Sequence, residues 1–378
     1  AFTLSGGLDS SSVVCAAARL TGVRQAAFST VYGGGEYDES AEIADVIDHG
    51  AATWTPVPVG APDLFALVDT LTAQHDQPLS TVTWLTHHLL CSSLRDAGFE
   101  SVFGGLGGDE QHAGEYDYFP YFFADLLAAG ADDRYHREVA AWQRQHDHPV
   151  WRKSETVATA RRLALTDPAT PGRCRIDRAL FDRYADAVDP ANSRIDSIPL
   201  DLAHPYASYL RSHSYNELYR ETMPCCLRAS DRNTEAFGLV DLSPYFDHRL
   251  VDFMFRVSPL IKTRDGVTKQ ILRRAMTGLL PEATRTRIGK TGWNAPIHHW
   301  FATSLREPLL DLVRSRRFRE RGIYRPAEVE RLIAEHGEIV SSGAARENHM
   351  MFLWQVISLE GWLDWLDGLS ATMAAGVR

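Results

Sequence analysis

Ala1-Phe2-Thr3-Leu4-Ser5-Gly6-Gly7-Leu8-Asp9-Ser10-Ser11 opens the chain, and its reading decides the fold. Ala1 to Leu4 is a short run that reads as a strand, and Ser10 to Leu20 repeats apolar residues at helical spacing. The glycine pair between them lets the backbone turn sharply and direct consecutive N–H groups toward one point, and the helix N-terminus adds positive potential. Ser5, Ser10 and Ser11 bring hydroxyl donors for phosphate oxygens, while Asp9 brings a carboxylate able to hold Mg²⁺ against them. The segment therefore reads as a cradle for a nucleotide phosphate and its metal. It is not the ordinary P-loop, because no lysine follows the glycines and the spacing is shorter. A tight strand-to-helix turn with a serine cap would use the same residues. No initiator Met precedes Ala1, which leads us to expect a piece cut from a longer protein.

Outward from this loop, short apolar runs alternate with amphipathic stretches, the pattern of βαβ units on a parallel sheet. Ala26 to Tyr32 reads as the next strand and Asp38 to His49 as a helix. Thr53 to Val59 reads as a third strand, placed at an edge or ended early by Pro56 and Pro58. Helices follow at Leu64 to Gln74 and Trp84 to Ala97, then a strand at Glu100 to Phe103 that closes on a second glycine cluster. From Tyr116 to His213 the texture changes to Arg, Asp and aromatic residues at loosely helical spacing, with loops near Asp167 to Gly172 and Asp186 to Ile198. The remainder is dominated by amphipathic helices ending in Met350 to Trp365. The expected organisation is an α/β core over 1–115 with a parallel sheet and flanking helices, a helical insertion over 116–213, and a helical C-terminal part over 214–378.

Composition narrows the partners. A net charge of −10 offers no global attraction for phosphate backbones or anionic membranes, so no nucleic-acid or membrane partner is expected. The cysteines Cys15, Cys91, Cys174, Cys225 and Cys226 are odd in number and lack paired metal-ligand spacing, which fits a reduced, cytoplasmic setting. No apolar run reaches the roughly 20 residues needed to span a bilayer, and no secretory leader pattern is present.

The first loop resembles the SGGxDS signature of the PP-loop ATP pyrophosphatases, whose members cleave ATP between the α- and β-phosphates. Ser-Val-Phe-Gly-Gly-Leu-Gly-Gly-Asp-Glu, residues 101 to 110, resembles the VLSGEGSDE strand and loop of the asparagine synthetase family. His75-Asp76-Gln77-Pro78 is similar to that family's HDEP turn, and Leu227 with Asp231-Arg232 to its LxxxDR stretch. Lys269 to Arg273, Leu280-Pro281, and Lys290 to Pro296 with Trp300 follow its KxxLR, LP and KxGFxxPxxxW pattern in order. Motifs in sequence from Ser5 to Trp300 are far more specific than the first loop alone.

The resemblance implies an adenine nucleotide α-hydrolase-like fold and an ATP-dependent, AMP-forming carbon–nitrogen ligase. A carboxylate would attack the α-phosphorus of ATP, and ammonia or an amine would then attack the acyl-adenylate. It further implies Mg²⁺ on Asp9 and Asp109, contact of Gly105 with the nucleotide, and adenine against the backbone of Leu4 and Val31. Lys269 and Lys290 would be the catalytic cations. Asp109-Glu110 would equally suit the start of a helix. A glutaminase domain, acting in cis or in trans, is the expected ammonia source; nothing in this chain resembles one. A homodimer is also compatible with the family.

Three departures fall on the substrate side. Leu106 stands where asparagine synthetases carry a Glu placed to take a proton from the amine. Val240 and Leu242 stand where the family's VEARxPFLD stretch carries Glu and Arg, although Pro244 to Asp247 continue the pattern. Relatives on the same chassis make β-lactams, cyclise lasso peptides or amidate sugar uronates, and each could use an apolar pocket. The Glu115 to Phe119 run could either supply compensating polar groups or start a helix packed on the core. Two rivals come from other classes. A tRNA-modifying PP-loop enzyme would show basic patches or paired catalytic cysteines, and a non-catalytic ATP-binding protein would lack Asp9, Asp109 or Lys290.

Overall fold

Five parallel strands form one sheet in the order β3-β2-β1-β4-β5. They are β1 (Phe2–Thr3), β2 (Gln25–Val31), β3 (Ala52–Pro58), β4 (Ser101–Phe103) and β5 (Val240–Leu242). The computed structural model describes residues 1–35, 37–60, 64–146, 153–165, 182–192, 204–289, 295–343 and 346–376, with backbone alone for 192 and 371–376. Parallel neighbours require crossovers, supplied here by α1 (Leu8–Thr21) between β1 and β2 and α2 (Ser40–Asp48) between β2 and β3. Between β3 and β4 the chain forms α3 (Leu64–His75) and α4 (Thr83–Asp96).

The early strands read as near-continuous apolar runs because both faces of the sheet are covered. On one face Phe2, Leu4, Leu8, Val14, Ala27, Ile43 and Val46 form a buried cluster. Phe28, Val57, Leu90, Leu94 and Val102 form a second. The strand with Pro56 and Pro58 is an edge strand, as its missing N–H groups require. β5 was not legible in the sequence. It has three residues, and Val240 and Leu242 are 57% and 37% exposed, so no apolar run announces it. Pairing with β4, Ser101 opposite Val240 and Phe103 opposite Leu242, is what makes it a strand.

The chain divides into two compact units. The first comprises 1–58, 90–172 and 201–293, and the second 59–89, 173–200 and 294–378. After β4 the first unit continues with α5 (Gly108–His112), α6 (Phe119–Ala128), α7 (Asp132–Gln145) and α8 (Lys153–Ala164). It then adds α9 (Tyr209–Tyr219), α10 (Thr222–Glu235), α11 (His248–Arg256) and α12 (Gln270–Ala275). Phe119, Phe122, Phe123 and Trp142, with Leu210, form the buried hydrophobic centre of this helical part. The expected loop at Asp167 to Gly172 lies outside the described residues. In the second unit, α3 packs on the long final helix Met350–Gly376, whose Trp354 Nε1 donates to the Leu79 carbonyl at 3.0 Å. Among the described residues no helix is long and apolar enough to cross a membrane.

Candidate active site

The first loop leaves β1 at the centre of the sheet and enters α1 at Gly7 without a side-chain cap. The serines bond the turn itself, Ser5 Oγ accepting from the Gly7 N–H at 3.3 Å and Ser10 Oγ donating to the Gly7 carbonyl at 3.4 Å. The first-turn N–H groups of α1 have no intrahelical acceptor, the arrangement that suits an anion. Ser5 and Ser10 also bond to each other, with their Oγ atoms 3.0 Å apart and the Ser5 N–H donating to Ser10 Oγ at 3.2 Å. Ser11 is fully buried, whereas Ser5 keeps partial exposure. Gly6 has φ +70°, and a Cβ there would lie 2.5 Å from Glu42 Cβ and 2.7 Å from the Ile43 nitrogen in α2. Arg287 fastens the turn from above the sequence, donating to the Gly6 carbonyl at 3.0 Å and to Asp45 at 2.8 Å. Gly6→Ala is accordingly expected to cost about 3 kcal/mol, from left-handed strain plus overpacking. A urea-unfolding midpoint equal to that of the parent chain would refute this.

The second loop, after β4, touches the first. A Cβ on Gly105 would lie 2.7 Å from the Ser10 nitrogen, so the loops meet at the start of α1. α5 then carries Asp109 toward Asp9, and Lys269 joins them from the residue before α12. The Lys269 Nζ is 2.6 Å from Asp109 Oδ1 and also bonds Asp9 Oδ2. All three side chains are largely enclosed, at 7% exposure for Lys269, 14% for Asp9 and 17% for Asp109. Lys269 holds φ +58°, a strained value for a residue with a Cβ, and this turn starts α12 while its side chain reaches the carboxylates. A Cβ on Gly114 would overlap both Asp109 Oδ1 and Lys269 Cε, so that position must be glycine for the cluster to close.

Of the remaining expected residues, Leu4 spends both backbone groups on β2. Its N–H donates to the Phe28 carbonyl at 3.0 Å, and its carbonyl accepts from Ser29 Oγ. A ligand at Leu4 would share that carbonyl's second lone pair. Val31 ends β2 and lines a cleft of ≈ 490 Å³ with Gly33, Gly35, Asp38, Trp54 and Pro56. Lys290, together with 291–294, lies outside the described residues. Leu242 sits beside the second loop, its carbonyl accepting from the Gly104 N–H at 3.3 Å. The Glu115 to Phe119 run forms a 3₁₀ turn at Tyr116–Tyr118 that leads into α6, with Tyr118 and Phe119 buried in the core.

Sequence reasoning passed over four residues at this site. Tyr245 donates to the Asp9 carbonyl at 3.3 Å; burial, then the charge of Asp9, pushes its phenol well above the usual tyrosine range. Lys262 is buried and donates to the Gln111 carbonyl at 2.6 Å, with its pKa lowered to about 7 by burial and then by Arg211. Burial also lowers the Arg273 pKa, an effect opposed by Asp9, and its Nη1 donates to the Arg285 carbonyl at 2.6 Å. Arg287 completes the set. Arg273 carried a signal as the arginine of the KxxLR stretch, and Tyr245 as part of the run that continues the VEARxPFLD pattern.

A parallel sheet whose central strand ends in a glycine turn, with carboxylates from two loops facing one lysine, places this chain in the α/β class that gathers its polar groups outside the carboxyl ends of its strands. The chain belongs to the asparagine synthase family, whose model matches residues 1–364. That is a family of ATP-dependent amidating synthetases. Over 87 residues the chain is 31% identical to asparagine synthetase [glutamine-hydrolyzing] 1 of Bacillus subtilis (strain 168). The matched stretch covers 23% of this chain and 14% of that relative.

Proposed function

We propose that the chain activates a substrate carboxylate by transferring AMP to it from ATP, with release of pyrophosphate, and passes the acyl group to ammonia or an amine. The observation that carries this reading is the enclosed Asp9–Lys269–Asp109 cluster at the N-terminus of α1. Two carboxylates from separate loops already share one cation, the Lys269 ammonium, and the all-oxygen donor set fits Mg²⁺. Asp9 and Asp109 would hold that ion, which when bound neutralises charge on the phosphates. The α1 N–H groups and Ser5 would bind phosphate oxygens, with adenine lying toward Leu4, Val31 and Gly105. Lys269 would add fixed positive charge where negative charge develops on the phosphates in the transition state, and Lys290 is assigned the same work. A pyrophosphate-release assay over a panel of carboxylates with ATP and Mg²⁺ tests the reading. Absence of release with every carboxylate, while ATP still binds, would favour a non-catalytic ATP-binding role.

Leu106, Val240 and Leu242 favour a substrate other than free aspartate. An α-amino acid brings an ammonium and a second carboxylate, and burying either without a partner costs several kcal/mol. The family's polar groups are absent at these three positions, and Leu242 lies beside the second loop. A peptide side-chain carboxylate or a sugar uronate is expected to trigger pyrophosphate release where aspartate does not, as in the cyclases and uronate amidotransferases. Efficient aspartate-dependent release, with asparagine formed when ammonia is supplied, would return the chain to plain asparagine synthesis. For an ammonia-using reaction the source is a glutaminase domain in cis or in trans.

A further inference from the structure

α9 presents His213 and Glu217 one turn apart on the same face, and the chain reverses after the helix so that Glu221, just before α10, returns to them. One ligand atom from each of the three lies within 4.8 Å of the other two. The group is not merely acidic. His213 is only 9% exposed, and its Nε2 is shielded from solvent and makes no hydrogen bond. Its ring is fixed by Tyr121, stacked at 4.0 Å, and by Tyr118, edge-on at 4.6 Å. Asp117 Oδ2 lies 3.5 Å from the same nitrogen and adds a third carboxylate. Burial, then the neighbouring Glu217 carboxylate, pushes the Glu221 carboxyl up, which reports how closely the acids crowd.

A buried imidazole nitrogen directed at several carboxylates is a donor set that suits first-row divalent metals better than Mg²⁺ or Ca²⁺, which prefer oxygen alone. We propose that His213, Glu217 and Glu221, with Asp117 as the fourth donor, bind a divalent transition metal of the zinc class at a site distinct from the Asp9–Asp109 pair. Tetrahedral zinc would draw the ligand atoms to about 3.4 Å apart, a contraction that the half-buried glutamate side chains allow by rotation. The bound ion would clasp α9 to the start of α10 and to the Tyr116–Tyr118 turn. That turn follows α5, which carries Asp109, so the metal would stiffen the scaffold of the nucleotide site.

The test uses the whole chain stripped with a chelator and titrated with Zn²⁺ by calorimetry, with Co²⁺ absorption reporting the ligand geometry. One equivalent of Zn²⁺ is expected to bind, to raise the melting temperature, and to stay bound in excess Mg²⁺. His213→Gln and Glu217→Gln should each weaken it about tenfold or more, with circular dichroism confirming that both variants fold. Asp9→Asn and Asp109→Asn, made separately, should each bind Zn²⁺ as the parent does. Cys225→Ser/Cys226→Ser should as well, a control required because the Cys226 thiol, raised to about 12 chiefly by burial, also feels Glu217. No Zn²⁺ binding, binding unaffected by both His213→Gln and Glu217→Gln, or binding lost in either single aspartate variant or in the paired cysteine variant would overturn the proposal. The outcome is independent of whether the chain adenylates a carboxylate.

Discussion

Asp9→Asn and Asp109→Asn, made separately, are each expected to cut AMP and pyrophosphate formation at least a hundredfold while leaving the chain folded. Each change removes one of two carboxylates that share a cation, and loss of one preorganised group of this kind costs on the order of 3 kcal/mol of barrier. The fold should survive because both side chains sit at the rim of the strand ends and Lys269 keeps the other carboxylate as partner. The double variant differs: it leaves the 7%-exposed lysine without either acid, and removing the partners of a buried charge is destabilising by about 3–5 kcal/mol. Pyrophosphate release and thermal melting, measured on all three proteins, separate the two effects. Parent-level turnover in either single variant would sink the Mg²⁺ assignment.

Lys269→Ala should lower kcat by about a hundredfold or more and change the KM for ATP far less, because the interaction would strengthen on the way to the transition state. Lys269→Gly is the informative companion. Glycine accepts φ +58° without penalty, so this variant removes the ammonium while relieving the backbone. Both variants should be equally slow if the charge is what matters. A Gly variant that turns over like the parent would assign Lys269 to shaping the start of α12. A rise in KM at unchanged kcat would instead make it a ground-state ligand. The same split, measured for Lys290→Ala, tests whether the two lysines share the work.

The first loop was legible because strand, turn and helix are all local there. Apolar spacing places β1 and α1 on either side of Gly6-Gly7, and the left-handed φ of Gly6 is a property of that residue type. The edge position of β3 was equally local, since Pro56 and Pro58 lack N–H groups. Asp9, Asp109 and Lys269 were recognised through motif resemblance; nothing in their spacing shows that they meet. Tyr245 fell within the VEARxPFLD resemblance without its contact being foreseen, and Lys262 and Arg287 carried no pattern at all. Their partners are far away along the chain, and a single tyrosine, lysine or arginine has no periodicity to betray it.

By itself the sequence determined where the chain turns, which stretches are apolar strands or amphipathic helices, and which residue types could hold an anion and its metal. Those features depend on neighbours a few residues apart, where sterics and hydrophobic periodicity act directly. Only the tertiary structure decided which charges share a site. The sheet order sets β4 beside β1 and so brings the two glycine loops together, and α12 then supplies Lys269 to carboxylates that lie 260 and 160 positions upstream. It also made a strand of Val240–Leu242, whose identity rests on the ladder to β4, and drew His213, Glu217 and Glu221 to one point at the α9–α10 junction. Long-range pairing of this kind is selected by packing of the whole core, which no local stretch encodes.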